Sequence, residues 1–402
     1  MPQLSSGALR RYGTVLLVSV AAVILYAYID LSYSLPWNPD RPSLPMFPAA
    51  PLAKACDGTL PPSADDSAAA PIPNIVHYIW LLADPTVLSL DFKVFISVYS
   101  AHLFFHPDKI YFHTDASPEL WERTKTSGSD WSRRVLNLPN VEPKYIDNPR
   151  ITTKGVEIDT FGAKSDFIRA YALRDQGGIY LDVDTIPLRD VAPLRRSGFA
   201  NVVGGATALA PKHTGYVNTG VWLSRPRSNL AVIFAEAMNA FYNGVWAISV
   251  GILTDLAYRL HAVPGEVLIM NPRAFAPASF ELADTIRLFR PYRDALPFPS
   301  QGTGKDDAGD DGLPKELTNT CSDALAWLRQ REQHAAEHWK MDFSATYVLH
   351  AFDDDASKVG GGWDGKITLP YVLARRSNYA RAVYPAIHHA IKAGVIPAEE
   401  TA

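Results

Sequence analysis

Apolar and polar residues alternate in short runs through the middle of the chain. Ile75–Trp80 (IVHYIW) and Lys109–His113 (KIYFH) read as strands, each followed by a longer mixed segment. Val217–Ser224 (VNTGVWLS) reads as a further strand. Between them, Ala163–Gln176 (AKSDFIRAYALRDQ) changes to helical spacing, with Phe167, Ile168, Tyr171 and Leu173 forming a stripe. The Gly177-Gly178 pair that follows is a helix stop. Gly178–Leu181 then gives a short, wholly apolar strand, as expected of one covered on both faces. Asn229–Asn243 has helical period, and a C-terminal helix is expected near Pro370–Lys392. Strands alternating with helices predict an α/β doubly wound sheet, with ligand beyond the carboxyl ends of its strands.

The ends of the chain read differently. Residues 12–29 are almost wholly apolar and uncharged, at the short end of what spans a bilayer. Arg10 and Arg11 precede them and Asp30 follows, which orients the N-terminus to the cytosol. An uncleaved transmembrane anchor is favoured over a signal peptide, because no small-residue cleavage site follows the apolar run. Residues 30–72 are dense in Pro, Ala and Ser and read as an extended stem. The expected organisation is a cytosolic tail (1–11), an anchor (12–29), a stem (30–72), one catalytic domain (73–385) and a C-terminal tail (386–402). The acidic, Gly-rich stretch 301–312 lacks EF-hand spacing and reads as a solvated loop.

Composition narrows the function. The chain has 402 residues and a net charge of −4, without the basic excess of a nucleic-acid binder. Its two cysteines, Cys56 and Cys321, can pair in an oxidising compartment or stay apart.

The candidate chemistry lies in Gly177–Pro187 (GGIYLDVDTIP). Asp182 and Asp184 are two apart, so on a strand they project the same way. Two converging carboxylates repel unless a cation sits between them, and the natural occupant is a hard divalent ion shared with phosphate. The helix before them carries Asp166 and Arg169 three apart, on one face. Asp-x-Asp-x-Thr after a strand also fits a haloacid-dehalogenase-type phosphohydrolase, with Asp182 as nucleophile. That reading leaves the strand–helix–strand unit upstream, and the Asp166/Arg169 face, without a role.

Ala-Lys-Ser-Asp-x-x-Arg followed by Gly-Gly-Ile-Tyr-Leu-Asp-x-Asp resembles the sugar-binding region of retaining glycosyltransferases of family 32. These include α-1,4-galactosyl- and N-acetylglucosaminyltransferases and fungal initiating α-mannosyltransferases. Ile72–Trp80 is similar to the opening strand of that domain. Phe241–Gly244 with Gly251–Thr254, and Ser344–His350, are similar to later segments in the expected order. Val250-Gly251-Ile252 and His350-Ala351-Phe352 depart from the family pattern, which has Gln-Gly-Pro and His-x-Trp there; a tryptophan returns only at Trp363.

The resemblance implies a GT-A-type, single-domain glycosyltransferase fold and a divalent cation, manganese. The donor would be a UDP- or GDP-sugar and the acceptor a glycan or glycolipid. It implies a single-pass type II protein of the Golgi membrane with a lumenal catalytic domain. Asp184 would ligate the metal, with Asp182 meeting it or the ribose. His350 would be the third ligand, with Asp353, Asp354 and Asp355 as rivals. Trp80 would stack on the nucleobase, with His77 on the other face of the same strand and Tyr180 in the donor site. Asp166 would bind sugar hydroxyls and Arg169 the diphosphate. Asn218 and Gly220 would lie along the sugar, with Asn218 supporting its reacting face. A catalytically silent carbohydrate-binding membrane protein is the alternative.

Overall fold

A computed structural model describes residues 70–206, 215–245, 248–292, 340–360 and 363–401. The apolar segment 12–29, nearly all of the stem, both cysteines and the stretch 301–312 lie outside the described residues. Among the described residues, no helix is long and apolar enough to cross a membrane.

The first half is a repeating strand–helix unit. It runs β1 (Ile75–Trp80), α1 (Phe92–Phe105), β2 (Lys109–Thr114), α2 (Pro118–Ser127), α3 (Asp130–Leu136), β3 (Val141–Tyr145), α4 (Phe161–Gln176) and β4 (Gly178–Leu181). There follow β5 (Thr185–Pro187), α5 (Ala192–Arg195), β6 (Asn201–Gly205), β7 (Val217–Ser224), α6 (Asn229–Phe241), α7 (Ile248–Leu260) and β8 (Val267–Met270). The last elements are α8 (Pro272–Phe275), α9 (Leu282–Phe289), β9 (Val348–His350), α10 (Leu369–Ala374) and α11 (Asn378–Lys392), with a 3-10 turn at Asp353–Lys358.

Seven strands form one mixed sheet in the order β3-β2-β1-β4-β7-β6-β8. Strands β3, β2, β1 and β4 are parallel; β7 runs antiparallel to both β4 and β6. β5 and β9 form a separate antiparallel pair. The expected α/β sheet is therefore present, with one strand reversed.

Alternation along the strands loads both faces. Val76 and Tyr78 join one core cluster with Phe95, Phe112 and Trp121, beneath α1. Tyr180, Trp222, Phe167 and Phe234 join the other, beneath α4 and α6. All four residues of β4 are buried, as its apolar run predicts. Helix α4 starts where Thr160 accepts from the Ala163 amide and stops at Gly177, which has φ 63°. A side chain at Gly177 would press on Pro226 and the Ser224 carbonyl.

The expected C-terminal helix is two helices. Arg375 takes a left-handed conformation, and Ser377 then caps α11 by accepting from the Ala380 amide. The expected boundary at residue 385 falls within α11, whose Val383 and Ile387 are core residues on either side of it. Trp363 stacks on Tyr371 and Phe289 and so belongs to the packing.

Candidate active site

β4 ends one residue before the first aspartate. The Thr185 amide donates to the Asp182 carbonyl at 3.0 Å, and the Thr185 hydroxyl donates to the same oxygen at 2.6 Å. Asp182 and Asp184 thus sit in a turn, rather than two apart on a continuous strand as expected. The turn brings them together by closing on itself. Thr185 then pairs with His350 across β5 and β9, and the Ala351 amide donates to the Asp184 carbonyl at 3.0 Å. This register delivers a histidine from far along the chain to the two aspartates. One ligand atom each from Asp182, Asp184 and His350 lies within 4.8 Å of the others.

The imidazole is held from both sides. Its Nε2 is 3.4 Å from Asp184 Oδ1, and its Nδ1 is 3.1 Å from Asn218 Oδ1. Burial favours the neutral ring, but the Asp184 and Asp182 carboxylates outweigh it and raise the His350 pKa above its ordinary value. Gly220 leaves room for this cluster. A Cβ there would lie 2.5 Å from His350 Cε1 and 2.7 Å from Asp182 Oδ2. Two carboxylates and an imidazole form a group that can hold a divalent metal ion taking oxygen and nitrogen ligands.

Beneath Asp182 lies a buried charge network. Arg169 Nη2 is 3.1 Å from Asp166 Oδ1 and 3.2 Å from Asp182 Oδ1, and Nη1 donates to the Thr219 carbonyl at 2.7 Å. Tyr180 donates its hydroxyl to Asp182 Oδ1 at 2.5 Å, and the Arg169 guanidinium lies 4.3 Å over its ring. Arg169 has a side-chain exposure of only 5%. Its charge is engaged by two carboxylates and a carbonyl, whereas the expectation was that it binds the diphosphate. Tyr180 is likewise buried, and it orients Asp182 from below. Asp166 is 2% exposed, with Oδ1 facing Arg169 and a hydrogen bond from Ser249 to its carboxylate. Burial raises its pKa to about 6, against the pull of Arg169.

Other expected residues land elsewhere. His77 is fully buried, with Nε2 2.7 Å from the Gly177 carbonyl and Nδ1 3.0 Å from His113 Nε2. It cannot touch a donor, because its position on β1 faces the covered side of the sheet. Trp80 is half-buried at the end of β1, against the first core cluster. Asn218 serves His350: its Oδ1 also accepts the Gly220 amide at 2.7 Å, so that oxygen is not available to a sugar. Asp353 and Asp354 are taken by Lys93, whose Nζ lies 2.7 Å and 3.1 Å from their carboxylates. Burial and the nearby Asp184 raise the Asp353 pKa to about 7, although Lys93 opposes this.

Residues 97–200 match the family described as "Glycosyltransferase sugar-binding region containing DXD motif". That segment holds the helix with Asp166 and Arg169 and the Asp182/Asp184 turn. The match is to the kind of sugar-binding region that the sequence resembles. A relative, "Glucan organizing enzyme 1" of Cryptococcus neoformans var. grubii, is 26% identical over 213 residues, covering 51% of this chain and 54% of that relative. The chain therefore aligns with about half the length of that protein. Among solved structures, the glycosyltransferase GlyE of Streptococcus pneumoniae is 11% identical with a TM-score of 0.37, covering 81% of this chain and 64% of its own. The PaToxG glycosyltransferase is 16% identical with a TM-score of 0.33, covering 53% of this chain and 78% of its own. Tyr180 and Arg169 engage Oδ1 of Asp182, and the matched segment is a glycosyltransferase region rather than a phosphohydrolase one.

Proposed function

We propose that the chain transfers a hexose or N-acetylhexosamine from a UDP- or GDP-sugar to a glycan or glycolipid acceptor, with retention of configuration, on a GT-A-type fold. The observation that carries this reading is the meeting of Asp182, Asp184 and His350 at the carboxyl edge of the parallel strands. Manganese is the proposed ion; when bound, it neutralises the charge that develops on the departing diphosphate.

The chain's own residues then have distinct parts. Asp184, Asp182 and His350 hold the cation. Arg169 and Tyr180 fix the direction of Asp182 from below. Asp166, closed to solvent, holds Arg169 in place and so acts on Asp182 at one remove. Trp80, at the end of β1, offers an aromatic face to the nucleobase. The acceptor oxygen bonds to the anomeric carbon as the carbon–phosphate oxygen bond breaks, and the acceptor proton passes to the departing phosphate oxygen. No side-chain base is needed for that step.

The reading also places the catalytic domain in the Golgi lumen, tethered by the apolar segment 12–29. That part is supported by the sequence alone.

Donor hydrolysis by the full-length protein tests the proposal. UDP-galactose, UDP-N-acetylglucosamine, UDP-glucose and GDP-mannose would each be incubated with and without manganese, with Asp184→Asn as control. Manganese-dependent release from one donor, lost in the variant, is expected. If no donor is turned over and none binds by calorimetry, the reading fails and a silent carbohydrate-binding role replaces it.

A further inference from the structure

A cavity of about 310 Å³ lies beside the C-terminal half of α4. Ile168 and Gln176 of that helix form one wall; His113, near the end of β2, and the segment after β3 form the rest. The volume is at the small end for ligand cavities, which run from about 300 to 1,000 Å³. Asp166 and Arg169 belong to the other half of the helix, and Gln176 lies about 15 Å of helix beyond Asp166. The cavity is therefore distinct from the Asp182, Asp184 and His350 cluster.

A chain of two buried histidines ends in it. His77 Nε2 lies 2.7 Å from the Gly177 carbonyl, which can only accept, so Nε2 carries the proton. His77 Nδ1 is then an acceptor, and His113 Nε2, 3.0 Å away, donates to it. Burial keeps both rings neutral, with pKa values of about 4 for His77 and about 3 for His113. The last nitrogen in the chain, His113 Nδ1, is thus left with a lone pair. It has no partner within the protein, and the ring, only 4% exposed, is part of the cavity wall. A nearly closed acceptor of this kind is satisfied by a ligand that donates.

Charge selects the class of ligand. The lining carries two carboxylates, Asp147 and Asp175, and no lysine or arginine, which opposes phosphates and other anions. Asp175 is engaged through both oxygens by Arg174. Lys144 stands close enough to help depress both histidines, which opposes an ammonium group at depth. An uncharged ligand with hydroxyl donors meets neither obstacle. Asp147 is exposed and unpartnered, and the Gln176 amide makes no hydrogen bond within the protein. Ile146, Pro149 and Ile168 supply apolar surface between these polar points. Apolar walls with a few convergent polar groups suit a pyranose ring, which has C–H faces and a hydroxyl rim.

We propose that this cavity is a second glycan-binding site, in which one uncharged sugar unit donates hydroxyls to His113 Nδ1, Asp147 and Gln176. A glycan seated there is tethered while another of its units reaches the reacting centre, which raises the local concentration of acceptor. That link to catalysis rests on the transferase reading above; the binding site itself does not.

Full-length protein in detergent is titrated by calorimetry with maltohexaose, laminarihexaose, mannohexaose and chitohexaose, without metal or nucleotide-sugar. At least one should bind. Gln176→Ala and Asp147→Ala should each weaken that binding about tenfold. Their thermal midpoints should stay at the wild-type value, because neither side chain has a protein partner to lose. Asp184→Asn should bind the same sugar as wild type does. The proposal is overturned if none of the four sugars binds, if both cavity variants bind as tightly as wild type, or if Asp184→Asn abolishes binding. Putrescine bound in place of any hexasaccharide, and lost in Asp147→Ala, overturns it too and makes the cavity an amine site. Those failures leave metal-dependent donor hydrolysis standing. Absence of donor hydrolysis in a wild type that still binds a hexasaccharide instead overturns the transferase reading and leaves this site in place.

Discussion

Asn218 and His350 are 132 residues apart in sequence and 3.1 Å apart in space. The amide oxygen of Asn218 also accepts the Gly220 amide, so it is an acceptor at both contacts. His350 must then donate from Nδ1, which leaves Nε2 as the nitrogen that faces Asp184 and the centre of the cluster and that a metal takes in exchange for its proton. A metal-binding imidazole with its outer nitrogen fixed in this way is a preformed ligand. Replacing Asn218 with Leu removes the acceptor at nearly constant volume. Manganese affinity should fall about 10- to 100-fold, the usual cost of losing such a partner. Titration of manganese into both proteins measures this. Equal affinities would mean that Asn218 does not orient the ring.

Gly220 gives a sharper geometric test. A methyl group there would stand 2.5 Å from the His350 ring and 2.7 Å from an Asp182 oxygen, well inside contact distance. Something must move, and the nearest movable groups are the metal-binding side chains. Gly220→Ala should fold with a thermal midpoint close to wild type but lose metal-dependent donor hydrolysis by at least about 100-fold, the scale of a 1 Å misplacement at a reacting centre. Retained hydrolysis would show that the cluster tolerates a shift, and that its geometry is not what the reaction uses.

The strands and the acidic motif could be read from sequence because both are local. β1 and β7 begin and end where alternation predicts, and α4 stops at the glycine expected to stop it. What could not be read depends on pairings across long stretches of chain. His77 looks like a ligand in a motif, yet its strand position turns it into the covered face, where it meets His113. Arg169 reads as a helix-face partner of Asp166 alone, until the fold brings Asp182 within 3.2 Å as well. Lys93 carries no motif at all, and its partner Asp353 lies 260 residues away. Phe352 gave only a faint sign, standing where the resembled family has tryptophan. Its left-handed backbone and its stacking on His350 belong to the tertiary structure alone.

Arg169 should matter to stability as well as to activity. It sits between two carboxylates, one fully buried, and donates to a backbone carbonyl as well. Arg169→Met keeps the bulk and removes the charge, which leaves Asp166 and Asp182 facing each other without a cation. Breaking a buried pair from one side costs about 3–5 kcal/mol. Asp166 can recover part of this by binding a proton, since its pKa is already raised to about 6 by burial. The variant should therefore be closer to wild type in stability at pH 5 than at pH 8. Denaturant unfolding at both pH values checks this. A constant difference would show that Asp166 does not titrate when its partner is removed.

The buried pair of His77 and His113 sets a lower pH limit on the fold. Burial lowers the His77 pKa from 6.5 to about 4, and burial with the neighbouring His77 lowers that of His113 to about 3. Both rings are neutral in the folded protein at pH 5, whereas in the unfolded chain both are largely protonated. The unfolded state binds more protons there, so stability falls as the pH drops below about 6.5. A single such histidine removes about 2 kcal/mol between pH 7 and pH 5. His113→Gln can still donate a hydrogen bond to His77 Nδ1 from its amide nitrogen, and it does not titrate. The loss of stability between pH 7 and pH 5 should be about 2 kcal/mol smaller in this variant than in wild type, by urea unfolding at each pH. Identical losses would place the acid sensitivity in the carboxylates instead and leave the histidine pair a neutral packing feature.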